Sequence, residues 1–214
     1  MKQSTNQILF GYWNEVRGER LAPRRFEIEP ARIATILPET FILERLDSET
    51  FPYRLAGTKI CDQFGTEFRG TNFLDGWQEA DRLTIARHFA STTAKGGAIV
   101  LEIAATAGLD GADPVHFEAI LLPLVHTSST VSRIVGSISA IDPPAWLGIK
   151  RLAYRRIVSC EALWPDGRPH AVAEGFRNQA PFIASLAGAR LVKQDRRSFR
   201  VLDGGLSKAA AEDL

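Results

Sequence analysis

The chain has 214 residues, a hydrophobic fraction of 45%, and 26 Lys or Arg against 25 Asp or Glu, for a formal net charge of +1 at pH 7. This length suits one ordinary domain with an extension, or two small ones, and the charge balance excludes a uniformly acidic or basic chain. Two cysteines without CxxC spacing argue against a disulfide framework or zinc knuckle, and no run of about 18 apolar residues could span a bilayer, so a soluble protein of the reducing cytoplasm is expected.

Ser4–Arg17 reads as an amphipathic helix. Leu9, Tyr12, Trp13 and Val16 recur at helical spacing, Ser4 or Thr5 can cap the start, and Gly18 can end it. The single Lys at its front and the early Asn14, Glu15 and Arg17 fit neither a secretory signal nor a membrane anchor. The stripe must be buried either on the main domain or against a second copy. A connector from Pro23 to Pro30 leads to a short helix, Ala31–Leu37, stopped by Pro38. Two strands are predicted at Thr40–Leu46 and Pro52–Gly57, then a helical turn at Thr58–Phe64 closed by Gly65. After an irregular stretch, Phe68–Trp77, a long helix is predicted over Glu79–Lys95. Leu83, Ile85, Ala86, Phe89 and Ala90 share its apolar arc, with Gly96-Gly97 as the stop. Three strands follow at Ala98–Thr106, Val115–Val125 and Arg133–Ile141. Asp110-Gly111 and the Thr127–Thr130 cluster supply hairpin turns, so the strands form an antiparallel meander. The order predicts an α+β fold, with a five-stranded antiparallel sheet and its helices on one face.

Several segments resemble a PAS domain. Tyr53–Gly65 is similar to its second strand and first short helix. Gly70–Trp77 followed by Glu79-Ala80-Asp81-Arg82 is similar to the lead into its long helix, and Leu121–Leu124 and Ala140–Pro144 also match. The resemblance covers residues 8–145 and points to a bacterial family of stand-alone PAS-like proteins. It implies a sensory or regulatory module, with no shared catalytic activity, that binds a small molecule between sheet and long helix or mediates dimerisation. The expected organisation is an N-terminal amphipathic helix at 1–20, a PAS-like domain at 21–145, and a basic C-terminal extension at 146–214.

Ligand chemistry is sparse. His88, the residue a haem-binding PAS domain would require, falls about 140° from the centre of the apolar arc at 100° per residue, so it reads as a surface His. A flavin photosensor needs a cysteine where Phe73 stands, and Cys61 reads as a small buried hydrophobe. His116 and Glu118 alternate on one strand and His126 lies at its end, but a polar strand face explains them better than a metal site. No HExxH, GxSxG, GxGxxG or P-loop is present, so no catalytic residue is assigned. Four residues are candidates for ligand binding. Arg82, placed on the apolar arc, can clamp a carboxylate or phosphate, its alternative being an ion pair with Glu79 or Asp75; Trp77, Tyr53 and Arg54 are the others. No cofactor is identifiable.

Residues 1–142 are net acidic and 143–214 net basic. Lys150-Arg151 and Tyr154-Arg155-Arg156 form a basic cluster, and Arg196 and Arg200 have the spacing of a cyclic-dinucleotide-binding arm, but no nucleic-acid motif accompanies them. The expectation is a non-enzymatic sensor, acting as a homodimer through its first helix, with a small-molecule ligand or a protein partner in signalling and with no membrane partner. The alternatives are a small isomerase or hydrolase centred on His116, and a nucleic-acid-associated regulator using the basic rear.

Overall fold

Apolar side chains alternate along Ala98–Thr106 and run almost unbroken through Ala119–Val125, and this pattern builds the sheet. The computed structural model describes residues 1–108, 113–125 and 131–168. Strands β1 (Thr40–Glu44), β2 (Tyr53–Ala56), β3 (Ala98–Thr106), β4 (Val115–Val125), β5 (Val131–Ile141) and β6 (Tyr154–Leu163) lie in the order β2-β1-β5-β4-β3-β6. Every neighbouring pair is antiparallel. Between them come α1 (Ser4–Arg17), α2 (Thr58–Phe64) and α3 (Glu79–Ser91).

The sheet has six strands where five were expected. The sixth, β6, comes from the segment past Pro144 and pairs with β3 from Ala98↔Leu163 to Thr106↔Tyr154. Its alternation is weak because it is an edge strand, with Tyr154, Arg156, Val158 and Glu161 exposed.

Both faces of the sheet are covered. On one, Phe41, Leu43, Ile99, Leu101, Phe117 and Leu121 pack against Ile60 and Phe64 of α2 and Ile85 and Phe89 of α3. The irregular segment before α3 adds Phe68, Phe73, Leu74 and Trp77 to this core, so α3 contributes only two fully buried side chains. That corrects the predicted arc: Leu83 is 49% exposed, and Arg82 and Ala90 also face outward. The helix stops at Ser91, and a 3₁₀ turn, Thr93–Lys95, carries the chain to Gly96 at φ +79°.

On the opposite face, Leu9, Tyr12 and Trp13 of α1 lie over Ile42, Ile120, Leu122, Leu124 and Val135, joined by Ile33 and Ile36 from a 3₁₀ segment, Pro30–Glu39. The amphipathic stripe is therefore buried on the chain's own sheet. Neither Ser4 nor Thr5 caps α1. The two amides just ahead of it reach a carboxylate of the sheet instead, Lys2 N and Gln3 N donating to Glu118 at 2.7 and 2.8 Å, and Asn6 Nδ2 adds a bond of 2.9 Å. The Thr5 hydroxyl donates to Glu39, which also pairs with Lys59. At the other end, buried Arg17 holds Asp166, in the turn after β6, through two bonds of 2.8 and 3.1 Å. Among the described residues no helix is long and apolar enough to cross a membrane.

Candidate functional site

The segment before α3 and the edge strand β6 are joined by backbone and side-chain bonds that open a cavity between them. Gly76 takes φ +76°, a left-handed conformation that glycine adopts freely, and its carbonyl accepts from Arg155 N at 2.8 Å. Next in the chain, Trp77 forms a parallel bridge with Arg155. In the first turn of α3, Asp81 Oδ2 accepts from Ile157 N at 2.9 Å. The cavity measures about 440 Å³. Gly76, Trp77, Gln78 and Arg82 line one side, Ala104 and Thr106 of β3 the floor, and Tyr154, Arg155 and Arg156 of β6 the other side.

Beside the cavity, the Arg155 side chain turns into the aromatic core. It is only 7% exposed, and its guanidinium carbon lies 5.5 Å from the ring centres of Phe68 and Trp77 and 5.9 Å from that of Phe64. Such contacts offset part of the cost of removing a cation from water. The guanidinium donates to the Asp75 carbonyl, while its Nε has no hydrogen-bond partner among the described residues. Burial pulls the Arg155 pKa down from its ordinary value. Beside it the Tyr53 phenol is fully buried, and burial pushes its pKa up to about 12 against the opposing pull of Arg155. The Tyr53 hydroxyl feels that charge without forming a hydrogen bond of good geometry.

The four ligand-binding candidates separate. Trp77 and Arg82 line the cavity together. Trp77 is buried, its Nε1 donating to the Phe73 carbonyl at 2.8 Å, and Arg82 stands at the rim with Nε donating to the Trp77 carbonyl at 3.0 Å. Neither of the ion pairs considered for Arg82, with Glu79 or Asp75, is formed. Tyr53 does not line the cavity; it lies in an aromatic cluster with Phe41, Phe68 and Phe73, next to the Arg155 guanidinium. Arg54 is remote from the cavity. It is half exposed on β2 and paired with Glu44, which also holds Arg133 at 3.2 Å. Sequence reasoning did not select Arg155 and Arg156. The available signal was the aromatic and basic run Tyr154-Arg155-Arg156, which was read as part of an extension and not as a strand of the sheet.

A second cavity, of about 360 Å³, lies on the opposite face, where Ile28, Ile33, Leu37, Ile42, Leu55 and Val135 surround it with Arg25 as the one charged lining residue. The other candidate groups sit apart from these cavities. His88 is half-buried with Nδ1 3.4 Å from Thr92 Oγ1, and His116 is 40% exposed with Nδ1 3.8 Å from Glu102. Glu118 is buried, but its oxygens are taken by the start of α1. Burial pushes the Cys61 thiol up, and that of Cys160 to about 11. Among the described residues no group of three His, Cys, Asp or Glu could hold a metal. His126, the two hairpin turns, Arg196 and Arg200 lie outside the described residues. A family model described as a PAS domain matches residues 1–139. No curated protein and no solved structure matches the chain.

Proposed function

Because the chain belongs to the PAS domain family, whose members serve in general as sensory or regulatory modules, we propose that it is a cytoplasmic sensor whose cavity between α3 and β6 recognises a small molecule. The observation that carries this reading is a cavity of metabolite size where the segment leading into the long helix meets the sheet edge, lined by Trp77, Gln78 and Arg82 on one side and by Tyr154 and Arg156 on the other. Mainly apolar walls with a few polar anchors are the usual composition of a small-molecule site. A helix packed by only Ile85 and Phe89 is also lightly held, and such an element can shift when a ligand bridges it to the sheet.

Native mass spectrometry of protein purified from its own host tests the reading. The expected result is a retained small molecule that is lost, or a ligand-induced rise in Tm that disappears, when Trp77 is replaced by alanine in a protein that still folds. A chain that carries nothing, and that no compound of a metabolite library stabilises, removes the small-molecule reading.

The sensor acts as a homodimer in this proposal. A contact through α1 must use what that helix still exposes, such as Ile8 at 48% exposure, since its main stripe is buried on the sheet. Light scattering that finds a monomer at all micromolar concentrations removes this part. The catalytic alternative required His116 and Glu118 to converge in a cavity, and neither lines the two described above.

A further inference from the structure

The cavity on the α1 face of the sheet has walls of a different chemistry from those beside α3. Ile42, Leu55 and Val135 line it from neighbouring strands. The register sets them on one face, because Ile42 is paired with Leu55 of β2 on one side and with Val135 of β5 on the other. Ile28, Ile33 and Leu37 of the connector close the space from above. No aromatic ring and no carboxylate lines it. The Thr40 hydroxyl is already bonded to the Ile36 carbonyl at 2.8 Å, and Thr58 is exposed. Ile28, Ile33, Ile42 and Val135 are buried, whereas Leu55 is 43% exposed and Arg25 half-buried, so the space runs inward from a mouth at Leu55 and Arg25. Among the described residues Arg25 has no ion-pair partner. One end is fixed: Gly57 N donates to the Thr40 carbonyl at 2.8 Å, and a Cβ on Gly57 would collide with the carbonyls of Leu37 and Pro38.

We infer that this slot is a second binding site, separate from the cavity between α3 and β6, and that it takes an aliphatic chain ending in a carboxylate, tail inward and head at Arg25. The floor decides the tail. It offers no free hydrogen-bonding side chain, so a polar atom carried inward would give up its water partners without replacement, which excludes sugars, nucleosides and peptide backbone. An apolar cavity of about 150 Å³ stays dry and binds benzene. The larger space here, about 360 Å³, holds a chain of roughly ten carbons on that scale. Its depth also matters: buried floor residues are within reach of a thin chain, but not of the flat face of another protein. The mouth decides the head, since Arg25 is the one charge on the lining and favours an anion there.

Isothermal titration calorimetry of the full chain with hexanoate, octanoate, decanoate and decanol, each below its micelle concentration, tests this. Decanoate is expected to saturate at one per chain, with affinity rising from hexanoate to decanoate about three- to fourfold per methylene, the increment for moving one out of water. Leu55→Glu, a charge at the exposed mouth, is expected to weaken decanoate at least tenfold in a protein whose circular dichroism is unchanged. Arg25→Met is expected to weaken decanoate about two- to fivefold, the scale of an exposed ion pair, and to leave decanol as it was. Arg82→Met, in the other cavity, is expected to leave decanoate binding intact, so this site and the sensor cavity fail or stand separately. No saturable binding, no dependence on chain length, or full decanoate affinity in both Leu55→Glu and Arg25→Met overturns the inference. Sedimentation of the chain by phosphatidylcholine and phosphatidylglycerol vesicles without decanoate binding also overturns it, assigning the slot to a membrane lipid. So does a dimer that Leu55→Glu dissociates and that decanoate leaves untouched, which would place a second copy at the mouth.

Discussion

Tyr53 and Arg155 place two polar groups without hydrogen-bond partners side by side in an aromatic core. A buried hydroxyl left unmatched costs about 1–3 kcal/mol, so removing it leaves stability unchanged or improves it. Tyr53→Phe is therefore expected to raise the ligand-free unfolding free energy by up to about 1 kcal/mol in urea titrations. A loss of that size would show that the hydroxyl is well satisfied in solution. Gly136 is a residue of a different kind. A Cβ there would meet the Phe41 ring and the Ile120 carbonyl from the neighbouring strands. Gly136→Ala is expected to cost about 1–3 kcal/mol through overpacking, measured in the same way.

Among the elements, α1 depends on a carboxylate of the sheet for its start. Burial alone would raise the pKa of Glu118, but bonds from Gln3 N, Asn6 and Lys2 N together outweigh it and hold the pKa below 4.5. Glu39 is likewise lowered, burial being outweighed by Lys59, Thr5 and Ser139. A carboxylate whose pKa is depressed by folding stabilises the protein at neutral pH, and that contribution is lost as pH falls through 4.5 towards the folded-state pKa. The expected outcome is a Tm that declines in this window, with a shallower decline in Glu118→Ala. At pH 7 that variant is expected to be about 1.5–3 kcal/mol less stable, the scale of hydrogen bonds to a charged group. An identical acid profile in wild type and variant would show that Glu118 does not anchor the helix.

At the scale of the molecule, β3 and β4 were legible because apolar residues alternate or run unbroken along strands bounded by turn residues. Thr58–Phe64 was legible from Gly65, which closes α2 at φ +61°. The edge strand β6 was not, since Arg155 and Arg156 interrupt any alternation and half of its side chains face water. The candidate site followed the same division. Trp77 and Arg82 sit together in one segment before and within α3, whereas Arg155 arrives from more than 70 positions downstream by strand pairing that no local pattern reports. Arg82 was found for an imperfect reason, because the aromatic segment Phe68–Trp77 covers the core where α3 was expected to do so.

The placement of β6 also makes the edge and the interior of the sheet unequal in time. It has β3 on one side and no described strand on the other, whereas β4 is enclosed by two partners. Amides along Tyr154–Leu163 should therefore exchange with deuterium well before those of Val115–Val125, since edge ladders open without the rest of the domain. Tyr154 and Arg156 line the cavity on that margin, so an occupant seated there should slow exchange along β6 and leave the interior rates untouched. The strand that opens first is thus the natural reporter of whether the site is filled.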